Sequence, residues 1–196
     1  MEIDLLGLIA AGLLALTSLS LLLASDWRWM ILALAGQYVG VFLLVWISWP
    51  LEQAVVKLIA GWMGGAILGT TLLSMEGDDW GARPSINRLF RTFAALLVIL
   101  ITTSVAPRLI DWVPGADLAQ VWGGFLLFGM GLLHLGLTQQ PLRVVLALLT
   151  LLSGFEVLYS AVEDSILVTG LLAVTTLSLC LVGAYLVMVP VLDEVD

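Results

Sequence analysis

Charge is scarce in this chain: 11% of its 196 residues are Asp, Glu, Lys or Arg, less than half the roughly 25% of ordinary soluble domains. Cysteine occurs once, at Cys180, and histidine once, at His134. A lone cysteine forms no internal disulfide and leaves the redox compartment open. One His and one Cys cannot build a metal or iron–sulfur site. No Gly-rich phosphate-binding loop is present, and no nucleophile stands at a credible spacing from a base. No metal and no cofactor are expected, and no catalysis by the chain alone. Basic residues are few as well: the net charge of −8 and a pI near 4.3 argue against nucleic acid and against a surface that seeks anionic lipid.

Hydrophobic residues make up 61% of the chain and its mean hydropathy is +1.13. The apolar runs are about twenty residues long and do not alternate, which predicts membrane-spanning helices rather than barrel strands. The expectation is an all-α integral membrane protein of about seven spans. The start, Met1-Glu2-Ile3-Asp4, lacks the positive region of a signal peptide, so the first run reads as a retained helix.

Taken in order, the spans are about Ile3–Ala24, Trp29–Trp49, Ala54–Met75, Leu89–Val105, Leu118–Thr138, Leu142–Asp164 and Ser165–Val189. Trp27-Arg28-Trp29 marks an interface belt. Pro50, Ala106-Pro107 and Pro190 are natural stops, because proline cannot continue a helix cleanly. Helix three carries Gly61, Gly64, Gly65 and Gly69, whose spacing lets a neighbouring backbone approach. A polar loop, Glu76–Arg88, follows it. Arg108–Gln120 reads as a loop with a short interfacial turn, and Gln139-Gln140-Pro141 as a tight turn. No polar stretch is long enough for a separate soluble domain. The chain divides into a four-helix part, 1–117, and a three-helix part, 118–196.

Seven spans put Arg28, Arg83, Arg88, Arg91 and Arg143 on one side, and Lys57 and Arg108 on the other. The positive-inside bias then predicts a cytoplasmic C-terminus and an outer N-terminus.

Glu156 stands out, being a carboxylate in the middle of an apolar run. Such a group costs roughly 2.5–3.5 kcal/mol at membrane depth even on lenient scales. Desolvation penalises its charged form, and a carboxyl poised between two states can carry a proton. The plainer reading is a glutamic acid that hydrogen-bonds a neighbouring helix as glue. His134 is either a proton relay or a hydrogen-bonded structural group. Its height differs from that of Glu156 by roughly 13 Å if both helices stand upright. Lys57, one turn into helix three, is expected to snorkel to the interface. It pairs with Glu156 only if helices three and six touch. Arg91 and Arg108, near helix ends, read as lipid-interface anchors. Gln37, Thr102, Thr103, Thr175, Thr176 and Ser178 read as helix-packing groups.

The segment Gly154-Phe155-Glu156-Val157-Leu158-Tyr159-Ser160-Ala161-Val162 resembles the Gly-x-Glu-x-x-x-x-Ala-Val segment of the small membrane subunit of complex I. That family includes the NuoK/NdhE, MrpC and HyfE-type subunits of complex I, Mrp antiporters and membrane-bound hydrogenases. The resemblance covers roughly Leu118–Val189. Where the family carries a second buried Glu in its third helix, this chain has Val174-Thr175-Thr176-Leu177-Ser178. The resemblance implies a proton or cation path using Glu156, other integral membrane subunits as partners, chiefly large antiporter-like ones, and an energy-transducing (inner or plasma) membrane. A non-translocating scaffold subunit and a stand-alone small transporter are the alternatives.

Overall fold

The computed structural model describes the backbone of residues 2–74 and 87–192, and side chains within 5–74 and 87–189. Arg83, most of the polar loop and the acidic tail lie outside the described residues. All regular structure among the described residues is helical: α1 (Glu2–Leu23), α2 (Trp27–Trp46), α3 (Leu51–Ser74), α4 (Arg88–Leu109), a 3-10 turn (Ile110–Trp112), α5 (Leu118–Gly136), α6 (Pro141–Ser160) and α7 (Ile166–Leu192). Among the described residues, seven helices are long and apolar enough to cross a membrane, which agrees with a multi-pass membrane protein.

Local chemistry sets the helix ends. Asp26 caps α2 and Asn87 caps α4, each side chain accepting from a backbone N–H two residues on. Asp117 and Gln120 form a capping box at the start of α5. Pro141 opens α6 at a position whose N–H has no helical partner anyway. Between the 3-10 turn and α5, Pro114 and Gly115 make a turn closed by Ala116 N–H to Val113 O at 3.2 Å. Gly115 there has φ +87°, which favours glycine.

Several boundaries differ from the sequence expectation by a few residues, and three have a clear local cause. Helix α4 runs through Pro107 to Leu109, because a proline in the last turn deletes a single hydrogen bond and Ile110 N–H still reaches Ala106 O. Helix α7 likewise continues past Pro190. Helix α6 instead ends a turn early, at Ser160. Its last turn tightens, with Ala161 N–H on Leu158 O and Val162 N–H on Tyr159 O. The Trp49 indole then takes the Glu163 carbonyl at 2.8 Å and draws the chain off the helix axis.

Helices α2 and α6 are central and contribute to two apolar cores. One core gathers Leu34, Leu68, Leu146 and Cys180 from α2, α3, α6 and α7. The other gathers Leu14, Val41, Ala95, Leu126 and Val157 from α1, α2, α4, α5 and α6. The parts 1–117 and 118–196 share these cores: α3 packs on α7, and α1 on α5. Helix α4 lies at the rim, and Leu89, Phe93, Leu96 and Leu100 remain exposed.

The closest backbone approach is between α5 and α6. A Cβ on Gly154 would sit 2.7 Å from Gly124 O and 2.8 Å from Phe128 N. On α3 the crowded positions are Gly61, which faces the Tyr38 ring, and Gly64, which faces Cys180 Sγ. A Cβ on Gly65 or Gly69 would meet only Ile31, at 4.0 and 3.9 Å. The glycine face of α3 is thus used at one turn, not along its length.

Candidate functional site

Lys57 and Glu156 form an ion pair inside the protein. Both are almost wholly enclosed, at 1% exposure each. The expectation that Lys57 snorkels outward is corrected here. Snorkelling needs a lipid-facing position, and Lys57 instead points inward between α2 and α7. Helices α3 and α6 make at most slight contact, so the long lysine stem spans the gap that the backbones leave. Its Nζ also donates to Thr176 Oγ1 on α7 at 3.2 Å. Four helices therefore enclose one buried charge pair.

Several polar groups surround it. Tyr38 Oη on α2 lies beside Ser153 and Thr176 without a well-formed hydrogen bond to either. Glu156 Oε2 is buried and unpartnered. One to two turns further into the protein, Gln37 Nε2 donates to Thr150 Oγ1 at 3.2 Å, and Gln37 Oε1 is unpartnered. Ser160, Glu156, Ser153 and Thr150 are all buried on α6 at a spacing of three to four residues, so they share a face. Beyond Thr150 that face turns apolar at Leu149 and Leu146, both fully buried. A polar column thus runs from the α6–α7 turn to mid-bundle and stops.

Because α6 ends at Ser160, Glu156 lies about 6 Å from that helix end, while Lys57 lies about 9 Å from the start of α3 and Thr176 about 15 Å from the start of α7. Trp49 and Gln53 close the site at its near end. The Trp49 indole donates to Glu163 O, Gln53 Nε2 donates to Asp164 O at 3.3 Å, and Thr169 Oγ1 donates to Gln53 Oε1 at 3.3 Å.

His134 stands apart. No described hydrogen bond or ion pair joins it to Glu156. It is buried at the other end of the bundle, within electrostatic reach of Arg91 and Arg143. Arg91 is 1% exposed and is not the interface anchor its sequence position suggests. A helix-end arginine anchors only if its side faces lipid, and Arg91 lies on the same inward side as Ala95. Arg108 is exposed, as an anchor should be. Thr176 belongs to the site, and Thr102 is buried. Thr103 accepts from the Trp122 indole at 3.0 Å.

Sequence reading passed over Tyr38 and Ser153. Tyr38 had one visible signal: Gly61 lies one turn from Lys57, and its missing Cβ makes room for the Tyr38 ring. Lys57 is also the chain's sole lysine, a further sign that it is more than an anchor.

Among the described residues no group of three or more His, Cys, Asp or Glu could hold a metal ion. No family model, curated protein or solved structure matches this chain.

Proposed function

We propose that the chain is a membrane subunit that helps move protons or cations, with Glu156 as the ion-binding group and Lys57 as its counter-charge. The observation that carries this reading is the enclosed Lys57–Glu156 pair, set one turn from the α6–α7 turn in a polar column that continues inward to Thr150 and Gln37. Buried ionisable residues at membrane depth are expensive and generally mark ion pathways. Lys57 lowers the cost of a charged Glu156, and a proton delivered to Glu156 would release Lys57 toward Thr176. Access would come from the α6–α7 side when the Trp49 and Gln53 contacts that close it open, and Leu146 and Leu149 bar free leakage to the other. The resemblance of the Glu156 segment to the NuoK/MrpC type supports an assembly with larger antiporter-like membrane subunits.

The scaffold reading keeps one observation in its favour. The ion pair ties α3 to α6 where their backbones barely touch, so it can serve as a staple alone. The variant Lys57→Met/Glu156→Gln separates the two readings, because it removes both charges and leaves none unpaired. Proton uptake is followed with a pH dye in vesicles carrying the chain with its partners. The translocation reading expects the double variant to assemble fully and to lose at least about tenfold in rate, the scale of losing a positioned proton carrier. Full proton movement in the double variant would leave the scaffold.

In this proposal the end that holds Arg28, Arg88, Arg91 and Arg143 faces the cytoplasm. Single cysteines at Asn87 and Glu163, in a Cys180→Ser background, test it. An impermeant thiol reagent on intact cells should label position 163 and spare 87. The reverse pattern inverts the orientation.

A further inference from the structure

The end of the bundle opposite Glu156 holds a second buried charge cluster, and this one is all of one sign. Arg91 on α4, His134 on α5 and Arg143 on α6 are 1%, 3% and 2% exposed. Arg91 and Arg143 are within electrostatic reach of one another, and His134 of both. Arg143 is partly satisfied: Nε donates to Gln140 Oε1 at 2.9 Å and Nη2 to Ala24 O at 2.8 Å. The rest is open. Arg91 Nε and Nη1, Arg143 Nη1 and His134 Nε2 are buried with no hydrogen-bond partner. Among the described residues no carboxylate pairs with any of the three. Asp26, the acidic residue described at this end, is exposed, and its side chain accepts from the Arg28 backbone N–H.

Guanidinium groups do not shed their proton in proteins. Two of them sit here in a low-dielectric setting with vacant N–H donors, an arrangement that is costly unless an anion or water fills it. Vacant donors on two planar forks suit an anion with several oxygens better than a single-atom ion.

We infer that Arg91, Arg143 and His134 form an oxyanion site that takes a phosphate group. Arg91 and Arg143 lie within about one turn of their helix starts, which is headgroup depth rather than mid-bilayer. On the outer face of α4 at the same end, a cleft of about 450 Å³ is lined by Arg88, Leu89, Thr92, Phe93 and Leu96, while Arg91 faces inward behind it. A phospholipid would bring its phosphate to these donors from the headgroup layer. A free phosphate ion would use the same donors. The net charge of −8 conceals this site, because the basic residues gather at one end.

The test uses the full chain, purified and stripped of lipid in mild detergent, and reads thermal unfolding. Three probes are compared: phosphatidylglycerol, diacylglycerol as the phosphate-free control, and inorganic phosphate. Phosphatidylglycerol should raise Tm by about 5–10 °C over diacylglycerol, the scale for a ligand near a hundred times its Kd. An equal rise with inorganic phosphate identifies a soluble ion as the source. Arg91→Gln and Arg143→Gln should abolish the rise, and Arg28→Gln, at the same end but outside the cluster, should keep it. Should the Gln variants not fold, Arg91→Lys keeps the charge without the fork and should at least halve the rise. Phosphorus counted per washed wild-type chain is the second readout, with about one phospholipid expected. No preference for any phosphate probe, with no retained phosphorus, overturns the site. So does a full rise that persists in Arg91→Gln or in Arg91→Lys.

Discussion

Glu156→Gln alone is expected to destabilise the protein more than removing the whole ion pair. With Gln at 156, Lys57 remains enclosed at 1% exposure with no counter-charge, and Thr176 is its sole other described partner. Breaking a buried pair by deleting one member costs ~3–5 kcal/mol, because the survivor is left uncompensated. Lys57→Met should be costly for the same reason, since it strands Glu156 beside an unpartnered Tyr38 hydroxyl. In Lys57→Met/Glu156→Gln no charge remains to be solvated, and the amide can still find Thr176 or Ser153. Replacing a buried pair by neutral groups of similar size is often close to neutral. The double variant should therefore recover most of what either single variant loses, a coupling of several kcal/mol. Thermal unfolding of the four proteins in one detergent measures it. Additive losses would mean that water screens the pair, and the enclosed geometry would then not describe its energetics.

This prediction bears on how a proton path is probed. If Glu156→Gln alone abolished proton movement, misfolding and lost chemistry would look alike. The pair has to be removed together before activity says anything about Glu156. The sequence by itself points to the single Gln variant as the clean test, because an isolated carboxyl is what the apolar run around Glu156 displays. The partner that changes the logic comes from a helix a hundred residues earlier.

Residue type and run length make much of the fold legible. Twenty apolar residues bounded by Asp26, Asn87, Pro141 or Trp-rich belts read as helices long enough to span, and seven such helices are present among the described residues. Glu156 is legible for the same reason, being out of place on an apolar helix. What is hidden depends on which way a side chain faces. Lys57 and Arg91 each lie within two turns of a helix start, where anchors are common. Only the packing of α2 and α7 around one, and of α5 and α6 near the other, shows that both turn inward. The early end of α6 is hidden in the same way, because Trp49, distant in sequence, holds the Glu163 carbonyl just beyond it. The glycines mislead in a similar way. Spacing marks Gly61, Gly65 and Gly69 equally, yet only Gly61 meets a ring.

Gly154→Ala is expected to be among the most damaging single-methyl changes in the chain. Its Cβ would fall 2.7 Å from Gly124 O, 2.8 Å from Phe128 N and 3.0 Å from Leu127 Cβ. Two of these are backbone atoms of α5 and cannot rotate away as a side chain can. The helices must separate instead, and close backbone approach through small residues is the main source of helix association in membranes. Overpacking of this kind typically costs ~1–3 kcal/mol. It should reach the upper end here, because a Cβ on Gly131 would likewise fall 2.9 Å from Leu151 N and 3.0 Å from Ala147 O in the same interface, so the two helices have no slack at either glycine. Gly65→Ala is the matched control. Its nearest neighbour, Ile31, is 4.0 Å from the added carbon, an ordinary contact, and alanine is the better helix former by roughly 1 kcal/mol. It should be neutral or slightly stabilising. Tm and the yield of folded protein in detergent distinguish the two. Gly154 also lies two residues before Glu156, so spreading α5 from α6 should tilt the carboxyl away from Lys57. On the translocation reading, proton movement in Gly154→Ala should accordingly fall further than the amount of folded protein does. Equal behaviour of Gly154→Ala and Gly65→Ala would show that α5 and α6 do not approach this closely, and would remove the scaffold that sets the position of Glu156.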